Sequence, residues 1–123
     1  MRRQLIYVAH PYGGKESNKQ PIDTIMRELV RMDAESVYIS PIHNFGYMYL
    51  EGDRYIEGLN YCLHLLGECD ALVVCKDYAS SRGCCAEYGF AKGRGKDIYT
   101  LTEWKEQIIE FNEQKKIQEL VEG

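Results

Sequence analysis

The sequence predicts an α/β protein, a three-layer fold with a parallel sheet of four to five strands and helices on both faces, as in flavodoxin-like and Rossmann-like domains. Short apolar segments alternate with amphipathic segments along the chain. Residues 71–75 are apolar at every position, which is typical of a strand that is covered on both faces. A chain of 123 residues is long enough for one domain with a core and too short for two, so we expect residues 1–123 to form a single domain.

The first half of the chain contains two predicted strands and one predicted helix. Residues 4–9 and 36–40 are apolar segments bounded by polar residues, and we expect a strand in each. Between them, residues 20–32 carry apolar side chains at helical spacing, with Pro21 in the first turn. Residues 41–49 are rich in aromatic side chains, but their spacing favours neither a helix nor a strand.

The second half contains two more strands and three helices. We expect strands at residues 71–75 and 98–101, and helices at residues 53–67 and from about residue 81 to a glycine C-cap near residues 92–96. Thr102 is the expected cap of the last helix. The apolar residues of that helix are expected on one side: Trp104, Ile108, Phe111, Ile117, Leu120 and Val121.

The charge balance restricts the partners of the protein. A formal net charge of −4 and a pI of about 5.4 argue against a nucleic-acid backbone or an anionic membrane as the main partner. No apolar segment approaches the length of a membrane span, and residues 1–3 lead directly into a strand rather than a signal peptide. We therefore expect a cytoplasmic protein.

The five cysteines favour neither disulfides nor a metal site. Their number is odd, and their spacing matches no paired CxxC zinc pattern, so we expect reduced core residues, no metal and no cofactor. Cys84 and Cys85 lie near a helix start, where the pKa of a thiol can be lowered, which leaves a redox role open.

The loops after the first three strands contain most of the polar candidates for a binding site. In a parallel sheet these loops meet at one edge, where ligands bind. The loops cover residues 10–15, 40–49 and 77–83. Together with neighbouring strand and helix residues, they provide the candidate site: Tyr7, His10, Tyr12, Gly13, His43, Asn44, Asp70, Asp77, Ser81, Arg82, Gly83 and Glu87.

The start of the helix at residue 81 has the features of an anion site. Ser81 is a good N-cap, Gly83 allows a ligand to approach the backbone, and the free N–H groups lie beside Arg82. Glu87 follows within two turns. An acid there often only complements the helix dipole, but its neighbours are apolar, so we expect a partly buried carboxylate, for which catalysis is a common reason.

Known phosphate and nucleophile motifs are missing. Residues 13–15 (Gly-Gly-Lys) lack the remaining Walker pattern, and the chain has no GxGxxG and no GxSxG. Paired carboxylates, here Glu87 and Asp70, suit chemistry at the anomeric carbon of a sugar. Asp70 is alternatively a turn residue at a strand entrance and then lies at the opposite sheet edge. Tyr7 either orients Glu87 by a hydrogen bond or is a core tyrosine.

Four segments resemble the nucleoside 2-deoxyribosyltransferase superfamily, and most closely its compact branch of uncharacterised bacterial and phage proteins. The most specific of them fits the pattern S-x-G-x-x-x-E-x-x-x-A and is followed by Gly95-Lys96. The four segments are residues 7–11 (YVAHP), 38–41 (YISP), 69–74 (CDALVV) and 81–91 (SRGCCAEYGFA).

The resemblance implies cleavage of the N-glycosidic bond of a nucleoside or a (deoxy)nucleoside 5′-monophosphate, often by a homodimer or higher homo-oligomer. Glu87 corresponds to the nucleophile that forms a covalent glycosyl-enzyme. Asp70 would help to bind sugar or base and to protonate the leaving group, and Tyr7 would position Glu87. Ser81 stands where the monophosphate hydrolases have a phosphate-contacting serine, and with Arg82 beside it a phosphorylated substrate is favoured.

Two departures from the pattern keep other functions open. His10 replaces a glycine that is common in the first loop, and no C-terminal segment clearly matches the one that completes a neighbouring subunit's site in the transferases. The alternatives are a non-catalytic protein that binds a nucleotide or a nucleotide signal, and an NAD glycohydrolase-like enzyme.

Overall fold

A computed structural model describes residues 4–12, 16–50 and 54–123. In these parts of the chain, four strands form one parallel sheet in the order β2-β1-β3-β4: β1 Leu5–Ala9, β2 Val37–Ile39, β3 Ala71–Val74 and β4 Asp97–Thr100. Among the described residues, five helices surround it: α1 Lys19–Met32, α2 Pro41–Phe45, α3 Tyr55–Gly67, α4 Arg82–Gly93 and α5 Leu101–Glu122. The predicted three-layer α/β fold is confirmed.

Helices cover both faces of the sheet. Along β1, Tyr7 and Ala9 pack with residues of α3 and α4, whereas Ile6 and Val8 pack with residues of α1 and α5. All residues of β3 are buried, which explains why residues 71–75 are apolar without alternation. The alternation of strand side chains therefore directs Tyr7 into the layer that contains α4.

The strand order defines where a ligand is expected. β1 lies between β2 and β3, so the chain leaves β1 towards one side of the sheet and returns on the other. Parallel α/β sheets bind ligands beyond the carboxyl ends of the strands at such a reversal point. That point lies between β1 and β3.

Two elements differ from the sequence-based expectation. The last helix begins at Leu101, because its cap is Thr100 and not Thr102. The Thr100 hydroxyl oxygen accepts a hydrogen bond from the Glu103 N–H at 3.2 Å. The Glu103 carboxylate in turn accepts a hydrogen bond from the Thr100 N–H at 2.8 Å, which completes a capping box. Residues 41–50 form α2 and a 3₁₀ turn, with Pro41 in the first helical turn. The expected helix start at residue 53 lies outside the described residues.

The apolar residues of α5 do not share one side. Trp104 and Ile108 are buried against the sheet, but Leu120 and Val121 are 82% and 81% exposed. At 3.6 residues per turn, Leu120 lies nearly opposite Trp104. The prediction of one apolar side was wrong, since it grouped residues from two sides of a long helix.

Among the described residues, no helix is long and apolar enough to cross a membrane.

Gly95-Lys96 has a structural role. Gly95 adopts a φ of +69°, a left-handed conformation that glycine adopts without strain, just after α4. The ammonium group of Lys96 then donates hydrogen bonds to the carbonyl oxygens of Gly67 at 3.1 Å and Cys69 at 2.7 Å. Lys96 therefore satisfies backbone carbonyls at the end of α3.

Candidate active site

A cavity of about 360 Å³ opens at the carboxyl ends of the strands, where the strand order predicts a ligand site. Its volume lies within the usual range for small-molecule sites. Segments that follow β1, β2 and β3, together with α3, form its walls: His10, Pro11, Tyr12, Asn18, Pro41, Ile42, Tyr55, Leu59, Cys62, Ser80, Ser81, Arg82, Gly83, Cys84 and Glu87.

Glu87 is the central ionisable group of this cavity. It is 5% exposed and is the only buried charged side chain among the described residues. The Tyr7 hydroxyl donates a hydrogen bond to its Oε2 atom. Burial raises the pKa of Glu87 from 4.5 to about 7, although the hydrogen bond from Tyr7 acts in the opposite direction. Near neutral pH, Glu87 can therefore exist as either the carboxylate or the acid.

Tyr7 is both a core residue and the partner of Glu87. Its side chain is fully buried between the sheet and α3. Burial, and then the charge of Glu87, raise the pKa of Tyr7 far above 10, so the phenol keeps its proton and acts as the donor. The predicted hydrogen bond is present, and it fixes the orientation of the Glu87 carboxylate.

The N-terminus of α4 forms another wall of the cavity. The Ser81 side-chain oxygen accepts a hydrogen bond from the Cys84 N–H at 3.2 Å and caps the helix. The Arg82 guanidinium lies 5.2 Å from the ring centroid of Tyr55, which also lines the cavity. Gly83 brings the backbone to the cavity surface. One cavity thus combines a cation and a helix start with a buried carboxyl group.

Asp70 does not lie beside Glu87. Its Oδ2 atom accepts a hydrogen bond from the Leu5 N–H at 2.8 Å, at the entrance of β1. Asp70 precedes β3, so it lies at the amino end of the parallel sheet, opposite the cavity. The prediction of a carboxylate pair was wrong, because the last residue before a strand cannot reach the strand's carboxyl end. The alternative of a turn residue is the correct one.

Three other predicted binding residues lie outside the cavity wall. The His43 ring contacts the Ser40 hydroxyl at 2.7 Å through Nδ1 and the Asp23 carboxylate through Nε2. Asn44 is exposed. Asp77 is exposed in a left-handed turn with φ 65°, where its carbonyl oxygen accepts hydrogen bonds from Ser80. None of the three lines this cavity, so the structure does not bring them together with Glu87 as predicted.

His10 and Tyr12 line the cavity as predicted, and Gly13 lies outside the described residues. The Nδ1 atom of His10 lies 2.7 Å from the carbonyl oxygen of Pro11. A carbonyl oxygen only accepts hydrogen bonds, so Nδ1 carries a hydrogen. Nε2 is therefore the ring nitrogen that remains for a contact with a bound molecule.

Residues 4–100 match the family model described as "Domain of unknown function (DUF4406)". The chain belongs to this family. The match includes all four strands and every residue of the cavity wall, whereas α5 begins after it. No curated protein matches the chain.

Sequence reasoning missed several wall residues of this DUF4406 domain. Asn18 donates a hydrogen bond to the Tyr12 carbonyl oxygen at 2.8 Å and so holds the loop after β1. On α3, the residues that face the cavity are Tyr55, Leu59 and Cys62, at intervals of four and three. That spacing was available in the sequence, but apolar residues also occur on other sides of α3, as the exposed Ile56 shows.

The thiols in the DUF4406 cavity are not activated. Burial raises the pKa of Cys62 to about 12 and that of Cys84 to about 11, so both keep their protons near neutral pH. The expectation of a lowered pKa was wrong for Cys84, because desolvation outweighs the helix start. Cys85 is exposed, and all five cysteines are free.

Proposed function

We propose that the protein cleaves the N-glycosidic bond of a nucleoside or, preferentially, of a (deoxy)nucleoside 5′-monophosphate, with Glu87 as the nucleophile. The observation that carries this proposal is the buried Glu87 carboxyl group, oriented by Tyr7 in the wall of a cavity of small-molecule size. The resemblance of residues 81–91 to the nucleoside 2-deoxyribosyltransferase signature supports it.

The proposed reaction has two displacement steps. A Glu87 carboxylate oxygen attacks C1′, the C1′–N bond breaks, and its electron pair leaves with the base. This step gives a glycosyl ester of Glu87 through an oxocarbenium-like transition state. Water or a second base then attacks C1′ from the other face and releases the carboxylate. Two inversions give net retention at C1′.

The departing base needs a proton, and His10 is the residue of the cavity suited to supply it. Asp70 lies at the opposite sheet edge, whereas His10 lines the same cavity as Glu87. With Nδ1–H held by the Pro11 carbonyl oxygen, the protonated ring donates through Nε2. The neutral ring then accepts a proton from the attacking water, which restores the starting state.

Replacing His10 with glutamine is expected to lower kcat for a nucleotide with an ordinary purine about 10²–10⁴-fold, the usual contribution of a general acid. A 7-methylguanine nucleotide should be cleaved at nearly the wild-type rate, because its base leaves as a neutral molecule without a proton. Equal losses on both substrates would contradict the role of His10. His43→Gln, outside the cavity wall, is the matched control.

Arg82 and the start of α4 are expected to bind the 5′-phosphate. Arg82→Met should raise KM for a 5′-monophosphate about 10-fold and leave KM for the nucleoside nearly unchanged, because a charge-assisted hydrogen bond is lost only with the phosphate. Arg94→Met is the matched control. Like Arg82, Arg94 lies over an aromatic ring, with its guanidinium 4.7 Å from the ring centroid of Phe90, but it is at the C-terminal end of α4. Equal KM changes on both substrates would contradict this assignment.

Free-base release tests the proposed function as a whole. The purified protein is incubated with nucleosides, 2′-deoxynucleosides, their 5′-monophosphates and NAD, and products are separated by chromatography. We expect base release, with the monophosphates as the best substrates. Saturable binding of a nucleotide without any base release would instead favour the non-catalytic alternative.

A further inference from the structure

The outward side of α5 carries a regular stripe of exposed residues. Ile109, Glu113, Lys116 and Leu120 follow one another at intervals of four, three and four. All four are exposed, Ile109 at 49% and Leu120 at 82%. Alternating intervals of four and three are the spacing of seam positions in a coiled coil. At 100° per residue, the stripe lies about 120–180° around the helix from Trp104, which packs against the sheet.

We propose that this outer stripe is the docking surface for α5 of a second copy of the chain, in antiparallel orientation. With the pairing centred between residues 114 and 115, Ile109 of one copy faces Leu120 of the other. In the same register, Glu113 of one copy faces Lys116 of the other. The pair then contains two layers in which apolar side chains meet and two layers in which opposite charges meet.

Charge selects this orientation over the parallel one. A parallel in-register pair would bring Glu113 next to Glu113 and Lys116 next to Lys116, and like charges in a seam repel. Charged residues in a seam lower its stability but specify its register and direction. With only two apolar layers, the expected dimer is weak and depends on protein concentration.

The position of α5 is consistent with an added interaction element. It begins after the residues that match the family, 4–100. It also packs on the face of the sheet opposite the layer of α3 and α4 that contains Glu87. A second copy on the outer stripe therefore leaves the cavity wall untouched, and the proposal does not depend on the proposed enzymatic function.

Sedimentation equilibrium over a wide range of protein concentration tests the register by charge exchange. The wild type should dimerise as concentration rises. Glu113→Lys alone and Lys116→Glu alone should each weaken the dimer at least about 10-fold, because each places like charges in two layers. The double exchange should restore the wild-type dissociation constant. If the two charges contacted other groups instead, the double exchange would not restore it.

A hydrophobic pair provides the matched control. Leu120→Lys should abolish the dimer, whereas Val121→Lys should retain it, because the two side chains are equally exposed but Val121 lies about 100° around the helix from the seam. A wild-type monomer at every concentration would overturn the proposal and leave the stripe to a different partner. A dimer whose dissociation constant none of these variants changes would also overturn the proposal.

Discussion

Glu87→Gln is expected to reduce base release at least about 10³-fold, because an amide cannot act as the nucleophile. The variant should keep its fold, since the glutamine oxygen can still accept the hydrogen bond from Tyr7. Initial rates of base release on the best substrate, with circular dichroism to verify the fold, measure this effect.

Glu57→Gln is the control for this experiment. Glu57 belongs to α3, which contributes to the cavity wall, but its own side chain is exposed and outside that wall. The same chemical change there should leave the rate nearly unchanged. A Glu87→Gln protein that releases base at the wild-type rate would remove Glu87 from the mechanism.

The same Glu87→Gln substitution is expected to stabilise the folded protein at high pH. The folded-state pKa of Glu87 is about 7, above the ordinary 4.5. Because the folded protein binds this proton more tightly than the unfolded chain does, protonated Glu87 contributes to the free energy of unfolding. That contribution is fully present below pH 4.5 and is lost as the pH rises to and through 7. At pH 8 the ionised, buried carboxylate should cost the wild type about 3 kcal/mol, which the neutral glutamine avoids.

Urea denaturation of both proteins at pH 5 and pH 8 measures the difference in the free energy of unfolding. The advantage of the variant should be about 2–3 kcal/mol larger at pH 8 than at pH 5, whereas Glu57→Gln should show no such change. An advantage that does not change with pH would contradict the raised pKa. The acid limb of the wild-type rate profile should fall through the same pH region.

The two central strands of the sheet could be predicted because they are buried on both faces. Residues 71–75 and the segment that contains Ile6 and Val8 are apolar without alternation, and few other structures explain that pattern. The last helix was harder to predict because periodicity alone does not show where a helix leaves the core. Trp104 and Leu120 are both apolar, but only Trp104 has a sheet to pack against.

The candidate site could be predicted in part. Tyr7 and Glu87 lie 80 residues apart in the chain, and they meet because strand alternation turns Tyr7 towards α4. The errors concern residues next to strand ends. Asp70 precedes its strand and turns to Leu5, while His43 turns to Asp23 on α1. Proximity to a strand end places a residue at an edge of the sheet but does not give the direction of its side chain.

The covalent glycosyl-enzyme is the most direct test of the central claim. The protein is incubated with a 2′-deoxy-2′-fluoro nucleoside 5′-monophosphate, whose fluorine slows hydrolysis of the ester, and intact mass and peptide masses are then measured. We predict an added mass equal to the sugar phosphate on the peptide that contains Glu87, and none in Glu87→Gln. Base release without any adduct, or an adduct on another residue, would contradict the proposal that Glu87 is the nucleophile.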